Sequence, residues 1–374
     1  MIMRISCIKK DLKEALFITQ KVAGKNLNLK ELEFTLFDVK SDHINIIATN
    51  IEIFVSVKIA AQSDLEDKFL IPQDVLYRIL DDSNIDEKIE INFDGQIMQI
   101  KDKNSNSTIK TLKSDEFPMI NEPEEFKNNE KHINKDSLLL GLKNVQMFAS
   151  QSLVKPELSA VYIYNNEEDL VFVATDMFRL AEKRILSSLD SDNFNPTLLP
   201  IKNTQTIVKI LENIQESDFQ YLSKDNQFSL KSKNIFLSSR IIDGSFPDYK
   251  AIIPDEFNIK TIILKSDFQE AIKKSSIFSD DFGKLTIKTN KKDQVLNLKA
   301  SNVNIGESSE DIKAKIDSNS DDIEISFNHR YLSEGLNYIN SDSIEFSLND
   351  SNSPALIKGV SDDSFLYIVM PMNN

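Results

Sequence analysis

Apolar and polar positions follow two rhythms along this chain, and the two rhythms alternate in a fixed order three times. Strict alternation, the period of a strand with one buried face, runs through IEIFVSVKIA (51–60), KIEINFDGQIMQIKD (88–102) and SAVYIYNNEEDLVFVA (159–174). Asp94-Gly95 interrupts the second run, and both residues accept the left-handed backbone of a tight hairpin turn. Elsewhere the spacing is helical. A short β-run enters an amphipathic helix at ISCIKKDLKEALFITQKVA (5–23), HINKDSLLLGLKNVQMFA (132–149) and IILKSDFQEAIKKSSIF (262–278). Asp11, Asp136 and Asp267 head these helices, where an acid suits the positive end of the helix dipole.

The recurrence is an internal repeat. Ala48-Thr49-Asn50-Ile51, Ala174-Thr175-Asp176-Met177 and Ala300-Ser301-Asn302-Val303 each end an alternating run, 126 residues apart each time. A strand running into a second helix recurs as FLIPQDVLYRIL (69–80), LLPIKNTQTIVKIL (198–211) and ISFNHRYLSEGLNYI (325–339). Pro72, Pro200 and Asn328 stand 128 apart at the expected helix starts, and proline suits the first helical turn because its missing N–H would be unpaired there. Phe117-Pro118 and Phe246-Pro247 lie 129 apart, and the third copy closes on Tyr367-Ile-Val-Met-Pro-Met. The prediction is an α+β protein of three similar domains, each with two helices packed on antiparallel sheet. The domains run 1–124, 125–253 and 254–374.

Composition changes this picture little, and charge complicates it. A net charge of −15 argues against nucleic acid, because DNA affinity usually comes from lysines and arginines that neutralise phosphates. Net charge is silent about placement, however, so an acidic shell with a basic lining keeps DNA open as a partner. No apolar run approaches the roughly 20 residues that span a bilayer. The N-terminus lacks a secretory pattern and one cysteine excludes an internal disulfide, so a cytoplasmic protein with no membrane partner is expected.

A search for chemistry comes back nearly empty. His43, His132 and His329 occupy different copies: a turn, a strand entry and a helix start. No zinc-type or triad spacing connects them, and neither GxGxxG nor GxxxxGK[ST] occurs. The acidic stretches Asp190–Asp192, Asp280–Asp281 and Asp321–Asp322 fall in polar, turn-like sequence and read as solvated loops rather than ion sites. Cys7 sits on an alternating apolar strand and reads as a small core residue. Three similar domains without catalytic, cofactor or metal signature point to a binding or structural protein rather than an enzyme.

ATDMFRLA (174–181), IIDGSFPDYKAIIP (241–254) and the terminal YIVMPMNN (367–374), in this order and spacing, resemble the signature stretches of bacterial DNA sliding clamps. These are the β subunits of the replicative DNA polymerase III holoenzyme. The opening MRISCIKKDLKEALFITQKVAG resembles that family's start, so the likeness covers the whole chain. It implies the DNA clamp fold, with subunits joined head to tail in a homodimeric ring around duplex DNA. Such a ring is a processivity factor: it holds DNA by topology, without sequence preference, and needs only a weakly basic lining inside a negative shell. The implied partners are the replicative polymerase, repair proteins carrying a short clamp-binding motif, and a separate ATP-driven clamp loader.

Site residues follow by position. The resemblance and the helix patterns together nominate Lys10, Lys13, Lys21, Lys25, Lys143, Lys155, Lys202, Lys273 and Lys274 as DNA-facing. The plain alternative is that they are the polar faces of amphipathic helices. The partner motif is expected in an apolar groove between the second and third domains, each buried anchor contributing roughly 1.5–3 kcal/mol. Its walls would be Leu158, Thr175, Met177, Phe178, Arg179, Leu180, Pro247, Ile252, Ile368, Val369, Met370, Pro371 and Met372. Flexible methionines suit a site with many ligands. Met177-Phe178 stand where the family usually has Gly-His, which predicts a bulkier, more apolar groove. Ala251, Asn373 and Asn374 also depart from the usual pattern, and these changes bear on motif preference. Ile277 and Phe278 match an apolar pair that seals the family's subunit interface; core packing within the third domain is the alternative. Two other readings stand beside the clamp: an enzyme on a duplicated scaffold, and a clamp-like paralogue that no longer encircles DNA.

Overall fold

The computed structural model describes residues 2–24, 29–80, 85–101, 106–127, 131–186, 194–318 and 320–372. The first copy comprises β1 (Met3–Ile8), α1 (Lys9–Thr19), β2 (Phe34–Val39), β3 (His43–Thr49), β4 (Ile53–Ser63), β5 (Asp67–Pro72), α2 (Gln73–Ile79), β6 (Lys88–Phe93), β7 (Ile97–Lys101), β8 (Asn106–Lys110) and a short β9 (Leu112–Lys113). The second comprises β10 (His132–Asn134), α3 (Lys135–Val145), β11 (Ala160–Asn166), β12 (Asp169–Thr175), β13 (Arg179–Leu186), β14 (Thr197–Pro200), α4 (Ile201–Leu211), β15 (Asp218–Lys224), β16 (Gln227–Lys231) and β17 (Ile235–Arg240). The third comprises β18 (Ile259–Leu264), α5 (Lys265–Ser276), β19 (Lys284–Asn290), β20 (Val295–Asn302), β21 (Gly306–Ser318), β22 (Glu324–Asn328), α6 (His329–Leu336), β23 (Ser343–Leu348), β24 (Ala355–Gly359) and β25 (Phe365–Val369). Apart from β9, the order β-α-β-β-β-β-α-β-β-β occurs three times.

The marker that opens the repeat in sequence is one turn built repeatedly. In the β3–β4 turn, Thr49 Oγ1 donates to the Ile53 carbonyl at 2.8 Å, and Asn50 Oδ1 accepts from the Glu52 and Ile53 amides. In the β12–β13 turn, Thr175 Oγ1 donates to the Arg179 carbonyl at 2.7 Å, and Asp176 Oδ1 accepts from the Phe178 and Arg179 amides. Both turns place a non-glycine residue in the left-handed region, Ile51 at φ 78° and Met177 at φ 76°. The hydroxyl and the side-chain oxygen satisfy backbone groups that a two-residue turn would otherwise leave open. The third turn is longer, with Asn302 Oδ1 accepting from Asn304 and the strand resuming at Gly306.

Space divides the chain differently from sequence. Two compact units form, residues 1–139 with 193–241 and residues 140–192 with 242–374, so the middle copy contributes to both. Each unit contains one seam between copies, made by the same pair of strands. In the first unit β17 pairs antiparallel with β4, Leu237 opposite Val55. In the second β25 pairs antiparallel with β13, Tyr367 opposite Ala181. The cores under these seams correspond as well. Leu36, Ile47, Phe54, Phe117 and Phe236 cluster in the first unit. Tyr162, Val173, Leu180, Phe246 and Leu366 take the matching places in the second. The two Phe-Pro segments therefore recur because each lays a phenylalanine on a seam.

Several local expectations change. Pro72 and Pro200 are N-cap residues, one position before the helical turn, where they still end a strand without forfeiting a helical hydrogen bond. His43 begins β3 rather than lying in a turn, with Nδ1 2.6 Å from Asp42. Asp280 and Asp322 serve turns by accepting backbone amides, while Asp190–Asp192 lie outside the described residues. Cys7 is buried in β1, and burial pushes its thiol up to about 12.

Candidate functional site

The signature stretches meet in the second unit. Leu180, at the start of β13, is buried against Val171, Val173, Tyr249 and Ile368. Below them Glu182 is fully buried; it accepts from Tyr249 Oη and, at 2.6 Å, from Arg184 Nε. Tyr164 Oη lies 2.7 Å from Tyr249 Oη, and burial together with the Glu182 carboxylate pushes the Tyr249 hydroxyl well above the ordinary tyrosine range. This network pins the FPDY stretch onto the sheet: Tyr249 packs in the core, with Pro247 and Ile252 exposed on either side of it in sequence.

The C-terminal stretch closes the same region. Met370 N donates to the Phe178 carbonyl at 2.8 Å, and Met372 N donates to the Ser326 carbonyl at 2.7 Å. Past the end of β25 the chain is thus held by backbone bonds on both sides, leaving Met370, Pro371 and Met372 half-buried. Met177 and Phe178, 57% and 56% exposed, stand at the tip of the β12–β13 turn.

Arg179 is the hub of the region. Its Nε donates to Asp176 at 3.0 Å, its Nη1 pairs with Glu334, and its guanidinium lies 5.2 Å from the Phe148 ring and 4.7 Å from the Tyr331 ring. A planar cation suits this position because it stacks on rings while its edge bonds carboxylates. The Phe178 ring lies 6.4 Å from that of Tyr331. Phe148, Tyr331 and Glu334 escaped the sequence reading. Nothing in the repeat marks them, and helical spacing explains Tyr331 and Glu334 as ordinary face positions of α6. Leu158, Thr175, Leu180, Ile368 and Val369 are buried; the other nominated residues are at least partly exposed.

The nominated lysines are distributed over helices and their ends. Lys10 and Lys13 lie on α1 and Lys21 just beyond it, and Lys202 is the second residue of α4. Lys143, Lys273 and Lys274 occupy last helical turns, which favour cations. Lys274 is paired with Glu270 at 2.8 Å, which raises its pKa. Lys155 Nζ lies 3.7 Å from Met177 Sδ. Lys25, Asn373 and Asn374 lie outside the described residues.

Ile277 caps α5 and is 65% exposed, so it does not belong to the core of the third copy. Phe278 is half-buried beside Gly306. Phe282, Val303 and Ile305, also exposed, come from the adjoining turns, and Asn302 Nδ2 ties those turns together through the Ser279 carbonyl at 2.9 Å. Of this apolar surface, only Ile277 and Phe278 are marked by the family resemblance. Among the described residues, no group of three or more His, Cys, Asp or Glu side chains is placed to hold a metal ion.

A threefold-repeated α+β chain whose signature stretches converge on one sheet defines a protein of the clamp class. The family models agree over the full length: the N-terminal, central and C-terminal domains of the DNA polymerase III beta subunit match residues 3–121, 132–248 and 250–373. The chain belongs to the DNA polymerase III beta subunit family. It is 25% identical to the beta sliding clamp of Staphylococcus aureus, covering 96% of this chain and 98% of that one. The crystal structure of the DNA polymerase III beta subunit from Thermotoga maritima superposes with a TM-score of 0.89 at 25% identity over all of both chains. The sliding clamp of Bacillus subtilis, 20% identical, shares the fold with a TM-score of 0.90 over all of both chains. The protein is accordingly a processivity factor and not an enzyme. It is a dimeric sliding clamp that encircles DNA and holds polymerases and other proteins on it.

Proposed function

We propose that the surface around Arg179 and Leu180 receives the short linear motif through which polymerases and repair proteins are tethered. The observation that carries this is the convergence of three segments distant in sequence: the β12–β13 turn, the Phe246–Ile253 stretch and the C-terminal Met370–Met372, joined by the Met370–Phe178 backbone bond. Leu158, Thr175, Leu180, Ile368 and Val369 supply the floor. Met177, Phe178, Pro247, Ile252, Met370, Pro371 and Met372 supply a rim of flexible thioethers and an aromatic ring, which adapts to ligands of different shape. Deleting Met370–Asn374 tests it. Anisotropy titration of a labelled peptide carrying the clamp-binding motif should show binding abolished, with the dimer mass unchanged. Undiminished binding rejects the site; loss of the dimer assigns the tail a structural role instead.

The same reading takes the domains as 1–124, 125–253 and 254–374, the lysines named above as DNA-facing, and the protein as cytoplasmic. Among the described residues no helix is long and apolar enough to cross a membrane, which accords with the last point.

Closure of the ring follows from the internal repeat. The strand after the marker turn, β4 or β13, receives the last strand of the next copy, β17 or β25. The third such strand, β21, and the first such last strand, β8, remain to be joined between two subunits. The register is calculable, because Ser308 faces Ala300 as Val55 faces Ala48 and Ala181 faces Ala174. Likewise Ser107 faces Ile100 as Leu237 faces Leu230 and Tyr367 faces Ile357. Ser308 then stands opposite Ser107 of the partner subunit, and Glu307 opposite Thr108 of the partner subunit. Ile277 and Phe278, with Phe282, Val303 and Ile305, supply apolar surface beside this strand end.

A further inference from the structure

The solvent-facing side of α1 carries an aromatic residue in an unexpected place. Leu12, Ala15, Leu16 and Thr19 are buried, and the opposite face reads Lys10, Lys13, Phe17, Lys21, residues three or four apart and therefore neighbours on the helix surface. Phe17 is half-buried, its ring 6.2 Å from that of Tyr77 on α2. Lys21 Nζ lies 3.8 Å from the Phe17 ring centroid, and Lys13 Nζ lies 5.5 Å from that of Tyr77. The pair of rings is not needed to dock α2 on α1. That contact is already made by buried Gln73, which donates to the Leu16 carbonyl at 2.7 Å and to Thr19 Oγ1 at 3.0 Å, and at the surface by Gln20 on Asp74. Beside the rings opens a cleft of about 360 Å³, lined by Lys10, Lys13, Glu14, Phe17, Tyr77, Ile85, Asn213 and Gln215.

We propose that this cleft is a stacking site for an unpaired nucleotide of the DNA that the clamp encircles. The proposal rests on the reading of Lys10, Lys13 and Lys21 as DNA-facing. In an intact duplex each base is stacked on its neighbours, so an aromatic ring beside the backbone finds no base face to cover. An unpaired base does present one, and stacking of this kind tolerates any base. The cleft combines two rings, lysines along one helix face, and hydrogen-bonding side chains on Glu14, Asn213 and Gln215. Single-stranded DNA is the occupant that uses all three. A short apolar peptide would leave the lysines unused, and duplex DNA would leave the rings unused.

The test compares anisotropy of a short labelled oligothymidylate with that of a duplex of equal length at low salt, alongside retention on nicked circular DNA after loading. Phe17→Leu keeps apolar bulk against Tyr77 but removes the aromatic face. F17L and Y77L should each weaken oligothymidylate binding by about tenfold and leave duplex binding and retention unchanged. Oligothymidylate binding that is absent from the wild-type protein, or unchanged in both variants, overturns the stacking site. The triple variant K10A/K13A/K21A separates the two readings. If it weakens both probes while F17L and Y77L weaken neither, the lysines face DNA and the stacking site falls alone. If it changes neither probe, the DNA-facing assignment of α1 falls and the stacking site falls with it.

Discussion

Met177 shows how a single residue carries both a family resemblance and a departure from it. The turn it occupies demands φ 76°, a region where glycine is at ease and a side chain is strained. The hydroxyl of Thr175 and the carboxylate of Asp176 hold that backbone in place, so the strain is tolerated rather than relieved. Because the Met177 side chain is largely exposed, removing it costs little packing. Met177→Gly should therefore stabilise the protein by roughly 0.5–1 kcal/mol, seen as a raised denaturation midpoint. An unchanged or lowered midpoint means that the methionine packs usefully on Lys155 or on the groove rim. The departure was visible in sequence as a missing glycine; that it sits at positive φ was not, since backbone conformation depends on the closure of the surrounding hairpin.

At the scale of elements, helices meet sheet so closely that two positions admit only glycine. A Cβ on Gly141 of α3 would lie 2.2 Å from the Phe172 ring on β12, and one on Gly335 of α6 would lie 2.3 Å from the Tyr367 ring on β25. Both glycines are helical, so propensity argues against them by about 1 kcal/mol, and close approach to a large ring explains them. Gly335→Ala should destabilise by roughly 1–3 kcal/mol through overpacking, and Gly335→Ala with Tyr367→Leu should recover part of that loss. Calorimetric unfolding of both variants checks this, and a neutral G335A would show that the ring moves aside freely. Helix and strand order was legible in the hydrophobic rhythm throughout. The misplaced boundaries, at His43 and the two prolines, fall at element ends, where one hydrogen bond decides the assignment.

At the scale of the whole molecule, the repeat makes ring closure a quantitative proposition. If β21 and the partner's β8 pair as the two intramolecular seams do, Glu307 lies opposite Thr108 of the partner subunit. Opposite charges facing across strands are favourable and like charges unfavourable. Thr108→Glu should set like charges opposite each other and weaken dimerisation roughly five- to tenfold, Glu307→Lys alone should change it little, and the double variant T108E/E307K should restore much of the affinity. Analytical ultracentrifugation at low salt reads all three. A double variant no better than the worse single one rejects this register, while leaving an apolar interface through Ile277 and Phe278 open to its own substitution.

The sequence alone determined the architecture: three copies, each of two helices and antiparallel strands, with the signature stretches in order. It did so because a repeat imposes the same burial pattern each time, and burial is written in the alternation of apolar positions. It also pointed to Ile277, Leu180 and the C-terminal methionines, since a family resemblance transfers residue by residue. The tertiary structure alone decided that Phe148, Tyr331 and Glu334 surround Arg179, that Lys155 touches Met177, and that Phe17 and Tyr77 share a cleft. These placements depend on which strands pair across copies and how helices dock. Such contacts join residues far apart in the chain, and the local period of hydrophobicity records that a face is covered without recording what covers it.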